Sequence, residues 1–294
     1  MQLQRKLWII VLALWLICFG AVDLARAAGE PDVQFVVTPH YLVEEMLEMA
    51  GANSKDVVYD LGCGDGRFLI SAAKRFGARG VGIDIDPERI RESLENAKKA
   101  GVADRVKFYE QNLFTTDIRQ ATLVALYLLP DLNLRLLPKF FEELRPGTRI
   151  VSHAFDMGDW KPDAEGRLGS SNYYFWVLPA DVKGKWRVSS PALGKEGDFI
   201  VEVHQRFQEI QAILVPEGLE SSLSDARLRG DRISFFISSG HGKSKKGMYF
   251  KGRVSGDTIS GEVQVEIDPF YSFLLEDGGV SVTGAYPWKA ARSK

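Results

Sequence analysis

Cysteine and histidine are scarce in this chain of 294 residues, which contains two cysteines and four histidines. Cys18 lies in an apolar N-terminal segment, so removal of that segment would leave Cys63 without an intrachain disulfide partner. The few cysteines and histidines also lack the ligand spacing of a zinc site. We therefore expect no metal site, and any chemistry must depend on other residue types.

An excess of charge of one sign is also lacking, because the formal net charge is −2. Nucleic-acid-binding domains usually carry a basic patch or stripe, and none is evident here. We therefore expect no nucleic-acid partner. The hydrophobic content of 45% suffices for packed cores, and the length fits two folded domains.

The N-terminus has the composition of a secretory signal peptide. Arg5 and Lys6 precede an apolar run over residues 7–22, and Ala25-Arg26-Ala27 follows it as a small-residue cleavage pattern. The run is short for a membrane-spanning helix, although an uncleaved anchor through it is the alternative. Because basic residues at the start remain cytoplasmic, we expect an exported, periplasmic protein or one anchored to the inner membrane. The signal peptide is assigned to residues 1–27.

A glycine-rich turn follows a buried apolar segment and is the most informative motif of the chain. Val57–Leu61 has the pattern of a buried strand, contains Asp60, and is followed by Gly62, Gly64 and Gly66. Glycine permits a tight turn and lets a ligand approach the backbone closely, since it has no Cβ. An amphipathic helix follows, whose first N–H groups are free to bind an anion.

The spacing of the glycines distinguishes two kinds of cofactor site. The dinucleotide fingerprint requires a third glycine three residues after the second, and Arg67 occupies that position. An acid before the first glycine suits a ligand with an amine beside a carboxylate better than it suits a pyrophosphate. The motif resembles the first motif of class I methyltransferases, whose cofactor is S-adenosyl-L-methionine (SAM). The resemblance implies that Asp60 and the three glycines bind SAM.

A second acid supports this interpretation. Asp84 ends the apolar segment that begins at Gly80 and lies 24 residues after Asp60. In doubly wound folds, an acid about 20 residues beyond the glycine turn binds the ribose hydroxyls. We therefore predict that Asp84 binds the cofactor.

The remaining strands and helices predict the fold class. A third strand leads to Asn112, a fourth covers residues 121–130, and a fifth covers residues 148–153. Strands that alternate with helices form a parallel sheet with right-handed crossovers. The expected fold is α/β, a Rossmann-like methyltransferase sheet with helices on both faces. The family usually has aspartate where this chain has Asn112, whose side-chain carbonyl can accept the same adenine hydrogen bond.

Three further segments resemble a narrower family. Thr38 and Pro39 introduce the first helix, residues 126–130 follow the fourth strand, and residues 147–152 begin the fifth. Together with the glycine turn, they resemble the seven-strand, non-SET protein-lysine methyltransferases over roughly residues 33–160. The resemblance implies a protein lysine as the acceptor and adds Thr38 and Pro39 to the cofactor-binding residues.

The chemistry favours positioning over acid–base catalysis. Methyl transfer from a sulfonium is an in-line displacement, and burial beside that cation lowers the pKa of an acceptor lysine. We predict that Tyr127 orients the amine and that Pro130 lines the acceptor channel, because ligands gather at the carboxyl ends of such strands. The alternative is that Tyr127 is only a half-buried aromatic residue. His153 either faces the pocket or is a hydrogen-bonded structural residue.

The C-terminal part has a different pattern. Helical spacing disappears after residue 183 and is replaced by short alternating segments with glycine turns, including Gly230-Asp231 and Gly256-Asp257. We expect a small all-β barrel or sandwich of hairpins. The predicted domains are therefore residues 31–182 for the methyltransferase and 183–294 for the β-rich domain.

Two alternatives to protein-lysine methylation remain open. The first is methylation of a small molecule or lipid, which would require a wide acceptor cleft at Tyr127. The second is an exported SAM-fold binding protein without catalysis, which the signal peptide favours because SAM is a cytosolic cofactor. The complete set of Asp60, the glycines and Asp84 argues against the second alternative.

Overall fold

The structure, a computed structural model, describes residues 36–196, 198–215, 221–239, 246–267 and 282–293. The expected signal peptide and the alternative anchor over residues 7–22 lie outside the described residues. In the part of the chain that is described, no helix is long and apolar enough to cross a membrane.

The N-terminal half alternates helices and strands. Its helices are α1 (His40–Met49), α2 (Arg67–Phe76), α3 (Pro87–Ala100) and α4 (Pro130–Glu143). Its strands are β1 (Val57–Leu61), β2 (Arg79–Asp84), β3 (Val106–Glu110), β4 (Leu123–Leu126), β5 (Arg149–His153), β6 (Ala164–Leu168) and β7 (Ser171–Val177).

These seven strands form one sheet in the order β3-β2-β1-β4-β5-β7-β6. Strands β1 to β5 pair in parallel, whereas β7 runs antiparallel to both β5 and β6. Strand β4 is buried along its whole length, as an apolar strand at the centre of a parallel sheet should be. The predicted α/β methyltransferase fold is confirmed.

Helices cover both faces of this sheet. Side chains of α1, α2 and α3 pack on one face, with Leu47 and Leu69 fully buried. Helix α4 packs on the other face through Leu136 and Phe140, beside Trp160 and other residues of the same core. The crossovers from β1 to β2, from β2 to β3 and from β4 to β5 are helices, and the loops that follow the parallel strands gather at their carboxyl ends.

One local prediction for this half was wrong, and one strand was missed. The fourth strand ends at Leu126, and Pro130 is the first residue of helix α4 instead of the end of the strand. Proline suits the first helical position because its fixed φ matches the helix and its missing N–H needs no partner there. Strand β6 was not predicted, since it lies at the sheet edge and has little buried apolar surface to produce a pattern.

The C-terminal half is all antiparallel. Its strands are β8 (Gly184–Ser189), β9 (Phe199–Arg206), β10 (Glu209–Val215), β11 (Ser221–Arg229), β12 (Arg232–Ser239), β13 (Lys246–Ser255), β14 (Thr258–Ile267) and β15 (Val282–Arg292). A 3₁₀ helix, Pro191–Glu196, connects β8 to β9. The sheet order is β10-β9-β8-β15-β14-β13-β12-β11, and the two edge strands lie against each other. The expected barrel-like β-domain is therefore confirmed.

Aromatic rings fill the interior of this second sheet. The Phe250 ring stacks on Phe235 at 4.8 Å between centroids and meets Trp288 edge-on at 5.3 Å. The repeated Gly-Asp pairs form two-residue hairpin turns, with φ of +60° at Gly230 and +57° at Gly256. Glycine adopts this backbone conformation without the Cβ clash of other residues.

Candidate active site

A cavity of about 390 Å³ opens at the carboxyl ends of the parallel strands. The predicted site residues that line it are Thr38, Asp60, Gly62, Asp84, Asn112 and Tyr127. Four others do not line it, namely Pro39, Gly64, Gly66 and Pro130. The structure thus brings together, at one cavity, predicted site residues from five separate segments of the chain.

Two glycines of the turn allow side chains of other segments to pack closely against the backbone. Gly62 has φ of +90°, and a Cβ there would lie 2.9 Å from Cδ2 of Leu128. Gly66 has φ of +78° and precedes helix α2, where a Cβ would meet Phe108 and Ser93 at 2.8 Å. Gly66 therefore serves close packing of the turn against strand β3 and helix α3, whereas Gly62 lies at the cavity wall.

Asp84 connects the turn to the second strand. Its Oδ2 accepts a hydrogen bond from the Gly64 amide at 2.9 Å, and its Oδ1 accepts one from the Asp86 amide at 3.0 Å. Gly64 thus affects the site through the carboxylate that it binds. Because both carboxylate oxygens already have one partner, Asp84 is held in place before any ligand arrives.

Three carboxyl groups give the cavity its electrostatic character. Burial, together with the smaller effects of the charges of Asp84 and Asp65, raises the pKa of Asp60 to about 8. Burial also acts to raise the pKa of Asp65, but hydrogen bonds and the charge of Arg67 outweigh it and lower that pKa. Such a cluster favours a cationic ligand, since a positive charge relieves the repulsion among the carboxylates.

Other apolar side chains also line the cavity, and no role was predicted for them. Among them are Met46, Ile85, Leu113, Phe114 and Leu132. Single apolar residues after strand ends carry no sequence signal of their own, because core positions look the same. Their presence suits a ligand with a planar apolar ring beside its charged group.

Asn112 lies at the cavity, but its side chain already has a local partner. Its Oδ1 accepts a hydrogen bond from the Phe114 amide at 2.9 Å, which makes an Asx turn after strand β3. A carbonyl oxygen has a second lone pair, so the turn leaves one acceptor position on Asn112. Its contact with a ligand stays a prediction.

The segment before helix α1 closes one side of the cavity. The Arg67 Nη1 donates to the Thr38 carbonyl at 2.8 Å, and the Thr38 hydroxyl lies 3.0 Å from Nδ1 of His153. Pro39 begins the helix, where its carbonyl accepts from the amides of Leu42 and Val43. Thr38 therefore connects the glycine turn to strand β5, which the sequence pattern did not indicate.

Tyr127 also lines the cavity, and it packs against other aromatic rings. Its ring centroid is 3.9 Å from that of His153 and 6.4 Å from that of Phe155. The residue between them, Ala154, has φ of +65°, a conformation unfavourable for alanine by about 1–2 kcal/mol. This turn lets both neighbours contact the same tyrosine. Of the two interpretations of His153, the structure supports the hydrogen-bonded one.

His153 is an uncharged support for this region. The side chain is buried, and burial lowers the pKa of its imidazole to about 4. At neutral pH the ring is therefore neutral, and it is absent from the cavity lining. It stabilises two residues that do line the cavity, Thr38 and Tyr127.

Comparison with known proteins places this half of the chain among methyltransferases. The model of the ANTKMT methyltransferase domain matches residues 60–164. A protein-lysine N-methyltransferase from Saccharolobus islandicus (strain REY15A) is 49% identical over 153 residues, which is 50% of this chain and 95% of that protein. A lysine N-methyltransferase of ATP synthase from Homo sapiens is 31% identical over 129 residues, 44% of this chain and 54% of that protein.

One solved structure has a comparable sequence identity. The RNA methyltransferase from Salinibacter ruber, in complex with S-adenosyl-L-homocysteine, is 52% identical. The match covers 50% of this chain and 96% of that chain, with a TM-score of 0.49. All of these matches concern about half of this chain or less.

Proposed function

This chain belongs to the family of protein-lysine N-methyltransferases, and from that premise we propose that it methylates a lysine side chain of a protein. It is a SAM-dependent methyltransferase of class I, with SAM as its cofactor. The observation that carries the proposal is the cavity that joins the glycine turn and its carboxylates to Tyr127. No other part of the described structure combines these features.

The residues around the glycine turn suit SAM. Asp60 is buried at the cavity wall, so its carboxylate is a strong partner for the ammonium of the cofactor's amino acid part. Gly62 lines the cavity without a Cβ and has Leu128 packed against it. We propose that Asp84, held by the Gly64 amide, binds the ribose hydroxyls. When bound, SAM supplies an electrophilic methyl group on a sulfonium.

The acceptor side of the cavity needs to orient an amine and exclude water. Tyr127 is half-buried, and its neighbours His153 and Phe155 restrict the ring. A lysine ammonium that enters this apolar region loses its proton to solvent more readily, because burial and the nearby sulfonium both lower its pKa. The neutral amine then needs only alignment for in-line attack. We propose Tyr127 as the orienting residue and Pro130, through the start of helix α4, as the positioning element for the channel wall.

The test is transfer of labelled methyl groups by the full chain. The protein is incubated with methyl-labelled SAM, poly-L-lysine and a soluble protein extract, and the products are hydrolysed to amino acids. We expect label in N-methyllysine, lost in the Asp60→Ala variant. An exposed acid, Asp104, provides the matched control Asp104→Ala, which should retain transfer.

The other outcomes contradict the proposal in different ways. Label in added RNA, lipid or small molecules, but not in lysine, would assign a different acceptor class. No transfer to any acceptor, with SAM binding intact by calorimetry, would favour the non-catalytic binding protein. No SAM binding at millimolar concentration would exclude the cofactor site itself.

We also propose that the β-rich domain begins at residue 183. A separate proposal is that the protein is exported. Support for export is the order of the basic, apolar and small-residue segments in residues 1–27. A fusion of this segment to a phosphatase that is active only in the periplasm tests it. Phosphatase activity, with a shortened fusion on gels, is expected for a cleaved signal peptide, and an inactive fusion contradicts export.

A further inference from the structure

The turn between β9 and β10 of the β-domain contacts the methyltransferase domain at Trp160 and Phe141. Phe207, at the tip, has φ of +55°, which is rare for a bulky residue. Its ring stacks on Trp160 at 5.9 Å between centroids with an interplanar angle of 19°, and it lies 5.8 Å from Phe141. Trp160 is completely buried. The contact therefore belongs to a packed core that includes residues of both domains.

Hydrogen bonds from Gln208 reinforce this contact. The Trp160 indole donates from Nε1 to Oε1 of Gln208 at 2.8 Å, and Nε2 of Gln208 donates to the carbonyl of Lys161 at 2.7 Å. One side-chain amide thus binds two adjacent residues of the loop 155–161. Two ion pairs flank it, but both are exposed and contribute little.

The same loop carries the acceptor side of the site. It leaves strand β5 after His153, and the Phe155 carbonyl accepts a hydrogen bond from the Ser152 hydroxyl at 2.6 Å. The Phe155 ring stacks against Tyr127 with an interplanar angle of 23°. From the β-domain to Tyr127, the contacts are therefore continuous through Trp160 and the loop.

Backbone conformation supports this connection. Three non-glycine residues of the described ranges have positive φ, and two of them, Ala154 and Phe207, lie at the two ends of this path. Such conformations persist only where the surrounding contacts hold them in place. A turn that served only to join β9 to β10 would not need a phenylalanine there.

We propose that Phe207 and Gln208 are positioning residues for methyl transfer, which hold the loop 155–161 so that Phe155 supports Tyr127 on the acceptor side. This gives the β-domain a role in the active site of the other domain. The inference rests on the proposed function for its kinetic part only, because the structural part can be measured without an acceptor.

The experiment uses the full chain and four variants. Phe207→Ala removes the ring, and Phe207→Tyr keeps it. Gln208→Ala removes the two hydrogen bonds. Phe235→Leu is the matched control, since it weakens the β-domain core without a contact to the loop. Hydrogen exchange of the backbone amides, SAM affinity by calorimetry, and KM and kcat with poly-L-lysine are measured for each.

We expect about tenfold faster exchange in residues 154–161 for Phe207→Ala and a smaller change for Gln208→Ala, with slow exchange kept in Phe207→Tyr. SAM affinity should stay within about twofold, whereas kcat/KM for the acceptor should fall about tenfold. Phe235→Leu should change neither the loop exchange nor kcat/KM.

Three outcomes would overturn the inference. They are unchanged loop exchange in Phe207→Ala, faster exchange with unchanged kcat/KM, or the same kinetic loss in Phe235→Leu. If the wild-type chain transfers no methyl group at all, the proposed function fails instead, and the exchange data still decide whether the β-domain holds the loop.

Discussion

The two halves of this molecule use their interiors differently. The α/β half has a cavity of about 390 Å³ where its parallel strands end, whereas the β half fills its interior with the rings of Phe199, Phe235, Phe250 and Trp288. Parallel strands joined by helices place all their outgoing loops at one edge, and that edge forms a ligand site. A small, nearly closed antiparallel sheet has an interior that side chains can fill. Among the described residues, the cavity at the strand ends lies in the first half, and packed side chains occupy the interior of the second.

The largest effect should come from an aromatic residue of the β half. Phe250→Ala should lower the free energy of unfolding by about 3–5 kcal/mol, because the buried ring leaves a cavity. Urea unfolding followed by tryptophan fluorescence measures it. Tyr286→Ala, at an exposed position of the same sheet, should cost less than about 1 kcal/mol. A loss of SAM affinity in folded Phe250→Ala would break the division between the halves.

For Asp60, in the α/β half, we expect a loss of SAM affinity without a loss of stability. Asp60→Asn should weaken SAM binding about 10- to 100-fold, since it removes a buried charge-assisted contact. Its melting temperature should be unchanged or higher, because the buried carboxylate is unfavourable in the free protein. Calorimetry and thermal unfolding test both, with Asp104→Asn as the exposed control. Equal losses of stability and affinity would mean that Asp60 is structural.

The raised pKa of Asp60 predicts a pH dependence with a defined sign. Below pH 8 the carboxyl is mostly protonated and must lose its proton to pair with the SAM ammonium. Affinity should rise with pH, by up to about tenfold per unit between pH 6 and 8. Calorimetry in buffers of different ionisation enthalpy should detect the released proton. A similar rise of SAM affinity with pH in Asp60→Asn would assign the pH dependence to another group.

The same group should lower the stability of the cofactor-free protein as pH rises. Between the usual carboxyl pKa of 3.8 and about 8, folded Asp60 holds a proton that the unfolded chain has lost. Its contribution to stability is therefore lost progressively as pH rises from about 4 to about 8. Urea unfolding midpoints of the wild type and Asp60→Asn, compared across this pH range, separate the contribution of Asp60 from those of other titrating groups.

Gly62 and Gly256, one in each half, both have positive φ, so the effects of substituting alanine can be compared between the halves. Gly62→Ala and Gly256→Ala should each cost about 1–2 kcal/mol of stability, because alanine is strained in that conformation. Only Gly62→Ala should also weaken SAM binding, since its Cβ would displace Leu128 at the cavity, whereas a Cβ at Gly256 would point into open space. Thermal unfolding and calorimetry measure both. Weaker SAM binding in Gly256→Ala would contradict the comparison.

The smallest effect concerns Tyr127 within the α/β half. Tyr127→Phe should lower kcat by a few fold and leave SAM affinity nearly unchanged, because the ring contacts to His153 and Phe155 remain. Steady-state kinetics with poly-L-lysine, paired with calorimetry, separate the two quantities. Parallel losses in turnover and SAM affinity would remove the orienting role.

Sequence patterns predicted most of the fold because local rules determine them. The strand before the glycine turn and the strand that ends at Asp84 lie where the spacing of apolar residues indicated. Strands β8 and β15 were not predicted. The assignment of β4 extended too far, since an apolar run does not reveal where a strand ends and a helix begins.

The site was only partly predictable for a related reason. Asp60, Gly62 and Asp84 have defined positions relative to one turn, so their meeting at the cavity follows from local chain geometry. The apolar wall and the partners of Thr38 depend on which distant segments pack together. The contact between Thr38 and His153 spans 115 residues, and no short pattern indicates it.

By itself, therefore, the sequence determined the α/β and all-β character of the two halves, the glycine turn and the acids beside it. These features depend on hydrophobic periodicity and on backbone conformations that only glycine adopts readily. Only the tertiary structure decided the raised pKa of Asp60, the aromatic support of Tyr127 and the packing of Phe207 on Trp160. Each of these depends on burial by residues far apart in the chain, because desolvation and close packing arise only when the complete fold excludes water.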